Sequence, residues 1–318
     1  MIGVMERPTA EKNPAYHLAP TALAVVLFYL PMTLPMAPAP IYYALTRHGR
    51  KYGLTAAVGA AVAVGIISGA VWALVFTAIC VLTAVAAAEA YWRGASLGLS
   101  VASAAALPFV ASLGLFLLIA QGAGAGAFKA IEDAANKSVD MLLEQRPQAV
   151  GDKVAVAELQ ANKETLVWLI SAVFPGITLC VGIFLALTHY LFTRALSIKF
   201  GWAIHSQGHD LAAWRAPEKL ALALAAGLAL SLMGAPSAAA AIGLNLVIVT
   251  GMVYSLHGLS VVHYWLGKSG VPPAVNVMVL ALMFLALLWA VVFLAILGLA
   301  DTLMDFRRTG RRMGGPAA

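Results

Sequence analysis

Charged side chains are scarce in this chain. Only 11% of its 318 residues are Asp, Glu, Lys or Arg, whereas a soluble domain carries about 25%. So few charges cannot cover the surface of a soluble protein in which 62% of the residues are hydrophobic. The same apolar excess excludes a disordered chain, because disorder requires low hydrophobicity. An integral membrane protein is the class that remains.

Cysteine is nearly absent as well. Cys80 and Cys180 both fall inside apolar runs, which excludes a disulfide scaffold and favours two small buried hydrophobic side chains. Residues 1–17 contain no short apolar core followed by a small-residue cleavage site. We therefore expect no cleaved signal peptide.

Motifs for catalysis are missing too. The Gly-rich stretches match neither a phosphate-binding loop nor a dinucleotide fingerprint, and there is no GxSxG elbow. His205 and His209 have the i, i+4 spacing of metal ligands, but no HExxH framework accompanies them. The sequence therefore predicts a protein that is not an enzyme and that holds no metal and no cofactor.

The net charge of +6 comes from basic residues in short segments between apolar runs. At such positions they indicate membrane topology and contacts with lipid headgroups. We therefore expect the lipid bilayer as a partner, and no nucleic acid.

What the sequence does contain is long charge-free runs. A hydrocarbon core about 30 Å thick takes roughly 20 helical residues, so the runs convert into about eight spans. Tyr52–Tyr91 is about twice as long as one span and must fold back, which we place near Ser68–Gly69. Leu220–Gly267 also needs a turn, and Gly234–Ser237 supplies the helix-breaking residues. The predicted fold class is all-α, a polytopic transmembrane helical bundle.

The charged residues divide the chain into five segments. These are a polar N-terminal segment (1–17), spans one to four (18–128), a polar helical insertion (129–164), spans five to eight (165–300) with an interfacial segment (194–219), and a basic C-terminal tail (301–318). Mixed charge and helical apolar spacing favour a solvated helical hairpin in the insertion. A simple connector without a binding role is the alternative.

Prolines break the first span. Pro31, Pro35, Pro38 and Pro40 interrupt its apolar run. Unwound backbone at membrane depth is tolerated only where it is buried or lines a cavity. We therefore expect Pro38 and Pro40 to contribute to a substrate-binding site.

Polar side chains inside the spans are candidates for function because they are costly in lipid. We predict that Asn245 and His257 of the seventh span bind substrate; for Asn245 the alternative is a hydrogen bond to a neighbouring helix. Glu89 ends the third span with Arg93 one turn later, which predicts an interfacial ion pair. A proton or cation site is the alternative for Glu89.

Three strings carry a family resemblance. They are Met36–Gly49 (MAPAPIYYALTRHG), His257–Trp265 (HGLSVVHYW) and Gly298–Arg308 (GLADTLMDFRR). They are similar to segments of the YybS-like family, the domain of unknown function 2232, which comprises multispan bacterial membrane proteins. The resemblance implies an α-helical fold in the inner membrane. The first helices also resemble those of the substrate-binding subunits of energy-coupling-factor transporters, which implies binding of a small solute.

The last of these strings can also be interpreted from its charges. Asp301 and Asp305 are one helical turn apart, and Arg308 follows three residues later. This spacing predicts a small ion-pair ladder on one helix face at the membrane surface. A structural anchor is the role we expect for it.

The basic residues indicate two opposite orientations of the chain in the membrane. The tail, with Arg311 and Arg312, favours one orientation, whereas Arg47 and Lys51 favour the opposite one. Eight spans would place both termini on the same side, and we expect that side to be the cytoplasm.

Two functions fit these observations. The first is binding or transport of a small-molecule ligand, which the broken helices and the interior polar groups favour. The alternative is a membrane scaffold or regulatory protein without transport activity, which binds a membrane or cytoplasmic protein partner. That alternative is favoured by the polar insertion and by the lack of charge deep in the spans.

Overall fold

A computed structural model describes residues 15–122, 126–145, 157–200, 211–270, 272 and 287–307. The regular secondary structure of these residues is helical throughout, without a strand. The predicted all-α class is therefore confirmed.

The part of the chain that the structure describes contains eleven α-helices, numbered in chain order. They are α1 (Ala15–Tyr29), α2 (Ala39–Tyr43), α3 (Arg50–Ser68), α4 (Ala70–Phe76), α5 (Leu82–Trp92), α6 (Leu97–Gly122), α7 (Ala127–Gln145), α8 (Lys163–Phe200), α9 (Leu220–Ser231), α10 (Ala238–Lys268) and α11 (Leu287–Met304). Short 3₁₀ segments lie at Pro31–Met36 and Leu211–Ala213, and π-helical turns at Ala44–His48 and Thr77–Val81.

Five helical segments of the described chain are long and apolar enough to cross a membrane. They are Arg50–Ser68, Ala70–Trp92, Leu97–Leu118, Lys163–Ser197 and Ala238–Lys268. Three shorter apolar helices accompany them, Leu18–Tyr29, Leu220–Ser231 and Trp289–Met304. The protein is thus a helical membrane protein with several apolar spans.

Helix breaks fall where the sequence predicts them. Gly69, between α3 and α4, has a φ of +93°, a left-handed conformation that glycine adopts without a steric penalty. Gly234, between α9 and α10, has a φ of +87°. Both long charge-free runs are therefore interrupted at the predicted glycine-containing turns.

The described residues form two compact units. The first unit comprises residues up to Leu115 together with Gly182–His205. Its core combines alanines with a few large side chains, among them Ile41 and Phe76, and also contains the buried Cys80. Small residues allow the helix backbones to approach closely, as is typical of membrane bundles.

The second unit comprises Phe116–Val181 and Ser206–Ala318. Within it α10 packs against both α9 and α11. Gly243 of α10 lies against the backbone of α9 at Gly227 and Leu230. Since a Cβ atom would overlap that backbone, glycine is required where these two helices meet.

Large apolar side chains remain on the outside of the helices. Ile66 is 81% exposed, Leu222 74% and Trp289 78%. In water such exposure would be costly, but hydrocarbon is a favourable environment for these side chains.

Candidate functional site

A cavity of about 710 Å³ lies in the second unit, where α7, α8 and the start of α10 meet. Its size falls within the range of about 300–1,000 Å³ that is typical of small-molecule sites. It is lined by Glu132, Asn136, Glu164, Val167, Trp168, Ser171, Ala172, Ser237, Ala238, Ala241 and Ile242.

The first wall of the cavity follows from the amphipathic character of α7. Ala135 and Val139 are buried and pack against Val167 of α8. Glu132 and Asn136 are one helical turn apart and line the cavity beside this apolar seam. The seam therefore holds a carboxylate and a carboxamide at the cavity wall.

Helix α8 supplies the second wall. Glu164, Trp168 and Ser171 line the cavity at spacings of four and three residues, which places them on one helix face. Lys163 donates a hydrogen bond from Nζ to Asp140 Oδ1 of α7 at 2.7 Å. This ion pair links the two helices that carry the cavity's carboxylates.

The first turn of α10 forms the third wall. Ser237 Oγ accepts a hydrogen bond from the N–H of Ala240 at 3.1 Å and donates one to the carbonyl of Gly234 at 2.7 Å. Ser237 is thus an N-cap that satisfies one of the free N–H groups at the helix start. The cap holds Ala238 and Ala241 at the cavity.

Asn245 joins α8 and α10 next to this cavity. Its Nδ2 donates to the carbonyls of Ala172 at 2.6 Å and Ala241 at 2.7 Å, and its Oδ1 accepts from the N–H of Gly176 at 2.5 Å. An uninterrupted helix would pair the N–H of Gly176 with the carbonyl of Ala172. The Asn245 carboxamide therefore replaces one backbone hydrogen bond of α8, directly after Pro175.

Carboxylates dominate the electrostatics of the cavity. Glu132 and Glu164 are both exposed, and none of the described lining residues is basic. The half-buried indole of Trp168 provides an aromatic face of the kind that attracts cations. This arrangement can bind a small molecule that carries positive charge.

A buried ionic cluster forms a second polar centre of this unit. Arg307 donates to Asp301 Oδ2 from Nε at 3.1 Å and from Nη2 at 2.9 Å. His257 Nε2 lies 3.0 Å from the same oxygen. Asp301, Arg307 and His257 are all buried, so each charge is compensated inside the protein, as burial requires.

The Arg307 guanidinium also binds the Leu211–Ala213 turn. Its Nη1 donates to the carbonyls of Ala212 at 2.8 Å and Trp214 at 3.0 Å, and to Ser260 Oγ at 3.1 Å. Ser260 Oγ donates in turn to the Trp214 carbonyl at 2.7 Å. One buried arginine therefore connects this turn, α10 and the end of α11.

Two glycines bring α10 and α11 close enough to form the cluster. A Cβ on Gly258 would overlap the carbonyl of Leu294, and a Cβ on Gly298 would overlap the carbonyl of Tyr254. His257 directly precedes Gly258, and Asp301 is three residues after Gly298. The close approach of the two backbones therefore sets the contact between the two side chains.

Asp305 turns the chain back after α11. Its φ of +46° is left-handed, a conformation that Asp tolerates better than most residues. Its Oδ1 accepts a hydrogen bond from Arg215 Nη2 at 2.6 Å. This hydrogen bond raises the pKa of Arg215 above its ordinary value, so Arg215 stays charged throughout the physiological range.

The predicted ion pairs have the following partners. Glu89 accepts from Arg93 Nε at 2.8 Å and from Arg50 Nη2 at 2.9 Å. The expected ladder of Asp301, Asp305 and Arg308 on one helix face stays a prediction. Helix α11 ends at Met304, so Asp301 pairs with Arg307 and Asp305 with Arg215. Arg308, like His205 and His209, lies outside the described residues.

The predicted substrate-binding residues fall into different surroundings. Pro38 precedes α2 and Pro40 lies in its first turn, both buried in the first unit. In the second unit, Asn245 bonds to helix backbone beside the cavity, and His257 belongs to the ionic cluster. Their role in substrate binding stays a prediction.

Several residues of the cavity and of the ionic cluster could not be identified as site residues from the sequence. The sequence places Arg307 in a basic tail and places Glu132 and Glu164 in a polar segment of mixed charge. Glu132 and Trp168 line one cavity from two separate helices, and such an arrangement has no local signal in the sequence. For Arg307, the left-handed tendency of Asp305 was the available hint.

Comparison with known proteins gives a family match. The model of a family described as "Predicted membrane protein (DUF2232)" matches residues 20–302. No curated protein and no solved structure matches the chain.

Proposed function

This chain belongs to the DUF2232 family of predicted membrane proteins, and we propose that it binds a small, positively charged solute in the cavity between α7, α8 and α10. The observation that carries the proposal is the cavity itself, about 710 Å³ in volume, with Glu132 and Glu164 in its wall. Transport of the solute across the membrane would be an extension of this binding.

The chemistry of the lining favours a cation. Two carboxylates attract positive charge, the Trp168 ring adds a cation–π surface, and Asn136 and Ser171 offer hydrogen bonds. Apart from Ser237, the remaining lining residues are apolar, namely Val167, Ala172, Ala238, Ala241 and Ile242. A few polar groups in an otherwise apolar wall are typical of sites for small molecules.

Binding rather than catalysis is the role we propose. The described lining residues include no Cys, His or Lys that could act as an activated nucleophile or general base.

The proposal includes a topology. We propose eight spans, made of the five long helices and the three shorter ones, in the inner membrane with both termini in the cytoplasm. On this topology the α7 segment lies on the cytoplasmic side, so the cavity would take its solute from the cytoplasm.

Calorimetric titration of the full-length protein in lipid nanodiscs tests the charge preference. The probes are choline and its uncharged carbon isostere, which have nearly the same shape. We expect choline to bind at least about tenfold more tightly, since a tenfold ratio corresponds to about 1.4 kcal/mol. Replacing both carboxylates (Glu132→Gln, Glu164→Gln) should remove this difference. Glu144→Gln, at an exposed position of α7 that does not line the cavity, should leave it unchanged.

Native mass spectrometry of the protein from mild detergent provides the opposing outcome. A bound small cation supports the proposal. A stoichiometric protein partner, with no small molecule and no binding of either probe, would overturn it in favour of the scaffold or regulatory role.

A further inference from the structure

One ring nitrogen of His257 faces two neighbours with opposite requirements. Nε2 lies 2.7 Å from Arg307 Nη2 and 3.0 Å from Asp301 Oδ2. A guanidinium nitrogen can only donate a hydrogen bond and a carboxylate oxygen can only accept one. Nε2 without a proton therefore suits Arg307, and Nε2 with a proton suits Asp301.

The other ring nitrogen favours the first arrangement when the ring is neutral. Thr302 Oγ1 lies 3.2 Å from Nδ1 and donates its hydrogen to the carbonyl of Gly298 at 3.0 Å. With the hydroxyl hydrogen used in this way, Nδ1 must carry the proton and donate to Oγ1. In the neutral ring Nε2 then carries no proton, and its lone pair faces a lone pair of Asp301 Oδ2.

Asp301 has an unused acceptor beside this contact. Both Arg307 nitrogens that reach the carboxylate bind the same oxygen, Oδ2. Oδ1 is buried and has no hydrogen-bond partner among the described residues. An unsatisfied buried carboxylate oxygen is costly and calls for an explanation.

We propose that His257 and Asp301 form a buried proton-binding site. A proton from solvent bonds to the lone pair of His257 Nε2, and the new N–H donates to Asp301 Oδ2. The cationic ring no longer accepts from Arg307 and repels its guanidinium. The vacant Oδ1 then gives Arg307 an alternative acceptor, so the carboxylate binds both cations, one at each oxygen.

Charges of both signs surround His257. The charges that face it are Asp301, Arg307 and Arg215, and Arg215 is itself held by Asp305. The phenol of Tyr254 lies on the same helix, one turn earlier. Glu218 faces Arg215 from the start of α9 and adds negative charge to the neighbourhood.

Protonation would be transmitted to the Leu211–Ala213 turn. Arg307 Nη1 binds the carbonyls of Ala212 and Trp214, so a shift of the guanidinium displaces that turn. The Trp214 indole also packs edge-on against His257, with ring centroids 6.2 Å apart. Trp214 is therefore placed to report both the charge of the ring and the movement of Arg307.

Fluorine NMR of the full-length protein in nanodiscs, labelled with fluorotryptophan, tests this inference. Seven tryptophans give the signals, and Trp214→Phe assigns the one of interest. Between pH 8 and pH 5 we expect the Trp214 signal to shift reversibly. The shift should disappear in His257→Gln and in Asp301→Asn.

A neighbouring histidine provides the matched control. His263 is exposed on the same helix, and His263→Gln should keep the full pH-dependent shift of the Trp214 signal. The remaining six tryptophan signals show in each variant whether the protein is folded. A wild-type Trp214 signal that does not move, or one that moves equally in folded His257→Gln or Asp301→Asn, overturns the proposal.

Discussion

At the scale of single residues, Asn245 shows how a polar side chain is accommodated in a membrane helix pair. Pro175 lacks an N–H, and the hydrogen-bond ladder of α8 is disturbed around it. The Asn245 carboxamide supplies one donor and one acceptor to that gap, at Ala172 and Gly176. Gly176 is suited to the position because a Cβ there would lie 2.6 Å from Oδ1 of Asn245.

Replacing this side chain should therefore destabilise the protein. Asn245→Ala leaves the N–H of Gly176 and the carbonyl of Ala172 without their partner in an apolar environment. We expect a loss of roughly 1–2 kcal/mol, which lowers the unfolding midpoint by a few degrees. Thermal unfolding in detergent, followed by size-exclusion chromatography, measures it.

Thr250 provides the control on the same helix. Its hydroxyl donates to the carbonyl of Leu246 within α10, so Thr250→Val removes no contact between helices. We expect Thr250→Val to shift the midpoint by less than Asn245→Ala does. Equal midpoints for the two variants would mean that the Asn245 bridge contributes nothing to stability.

At the scale of helices, the pairing of α10 with α11 depends on backbone contact. Gly258 and Gly298 face each other's helix, and their neighbours His257 and Asp301 meet as a result. Ser255 adds a hydrogen bond from Oγ to the carbonyl of Val291 at 2.7 Å. Small residues and interhelical hydrogen bonds are the main means of association in lipid.

Two glycine substitutions in α10 should act in opposite directions. Gly258→Ala places a methyl group against the backbone of Leu294 and should cost about 1–3 kcal/mol. Gly251→Ala meets nothing within 4 Å and should stabilise the helix by up to about 1 kcal/mol. The unfolding midpoints of both variants measure the difference, and a destabilised Gly251→Ala would contradict the contact-based explanation.

Helix breaks and buried contacts differ in how far the sequence reveals them. The turn at Ser68–Gly69 was predictable because glycine acts on its own backbone, which is a local effect. The Asp301–Arg307 pair was not, because it depends on Asp305 turning the chain back. The His257–Asp301 contact was not either, because it depends on two glycines far apart in sequence. The cavity likewise needs Glu132 and Trp168 from separate helices, so periodicity along one helix could not identify it.

At the scale of the whole molecule, the amino-acid composition was sufficient to predict a membrane protein. It was not sufficient to predict the number of spans. The scarcity of charge predicted a helical membrane protein, and five described segments meet the length that a crossing requires. The proposed total of eight depends on short helices as well. Helix α9 has 12 residues, or about 18 Å at 1.5 Å per residue, against a hydrocarbon core of about 30 Å.

Cysteine labelling on both sides of α9 tests whether this helix crosses the membrane. In a variant without Cys80 and Cys180, we introduce Glu218→Cys before α9 or Ala235→Cys after it. With eight spans and a cytoplasmic N-terminus, Glu218→Cys should react with a membrane-impermeant maleimide in intact cells, and Ala235→Cys only after lysis. Ala95→Cys, after three spans, is the positive control for outside labelling.

Equal labelling at the two positions would show that α9 enters and leaves on one side. The chain would then have seven spans, and the termini would lie on opposite sides of the membrane. The tail with Arg311 and Arg312 would move outside if the N-terminus stayed in the cytoplasm, against the usual excess of basic residues on the cytoplasmic side. A reporter fused after Arg312 gives an independent measurement, and eight spans require a cytoplasmic signal from it.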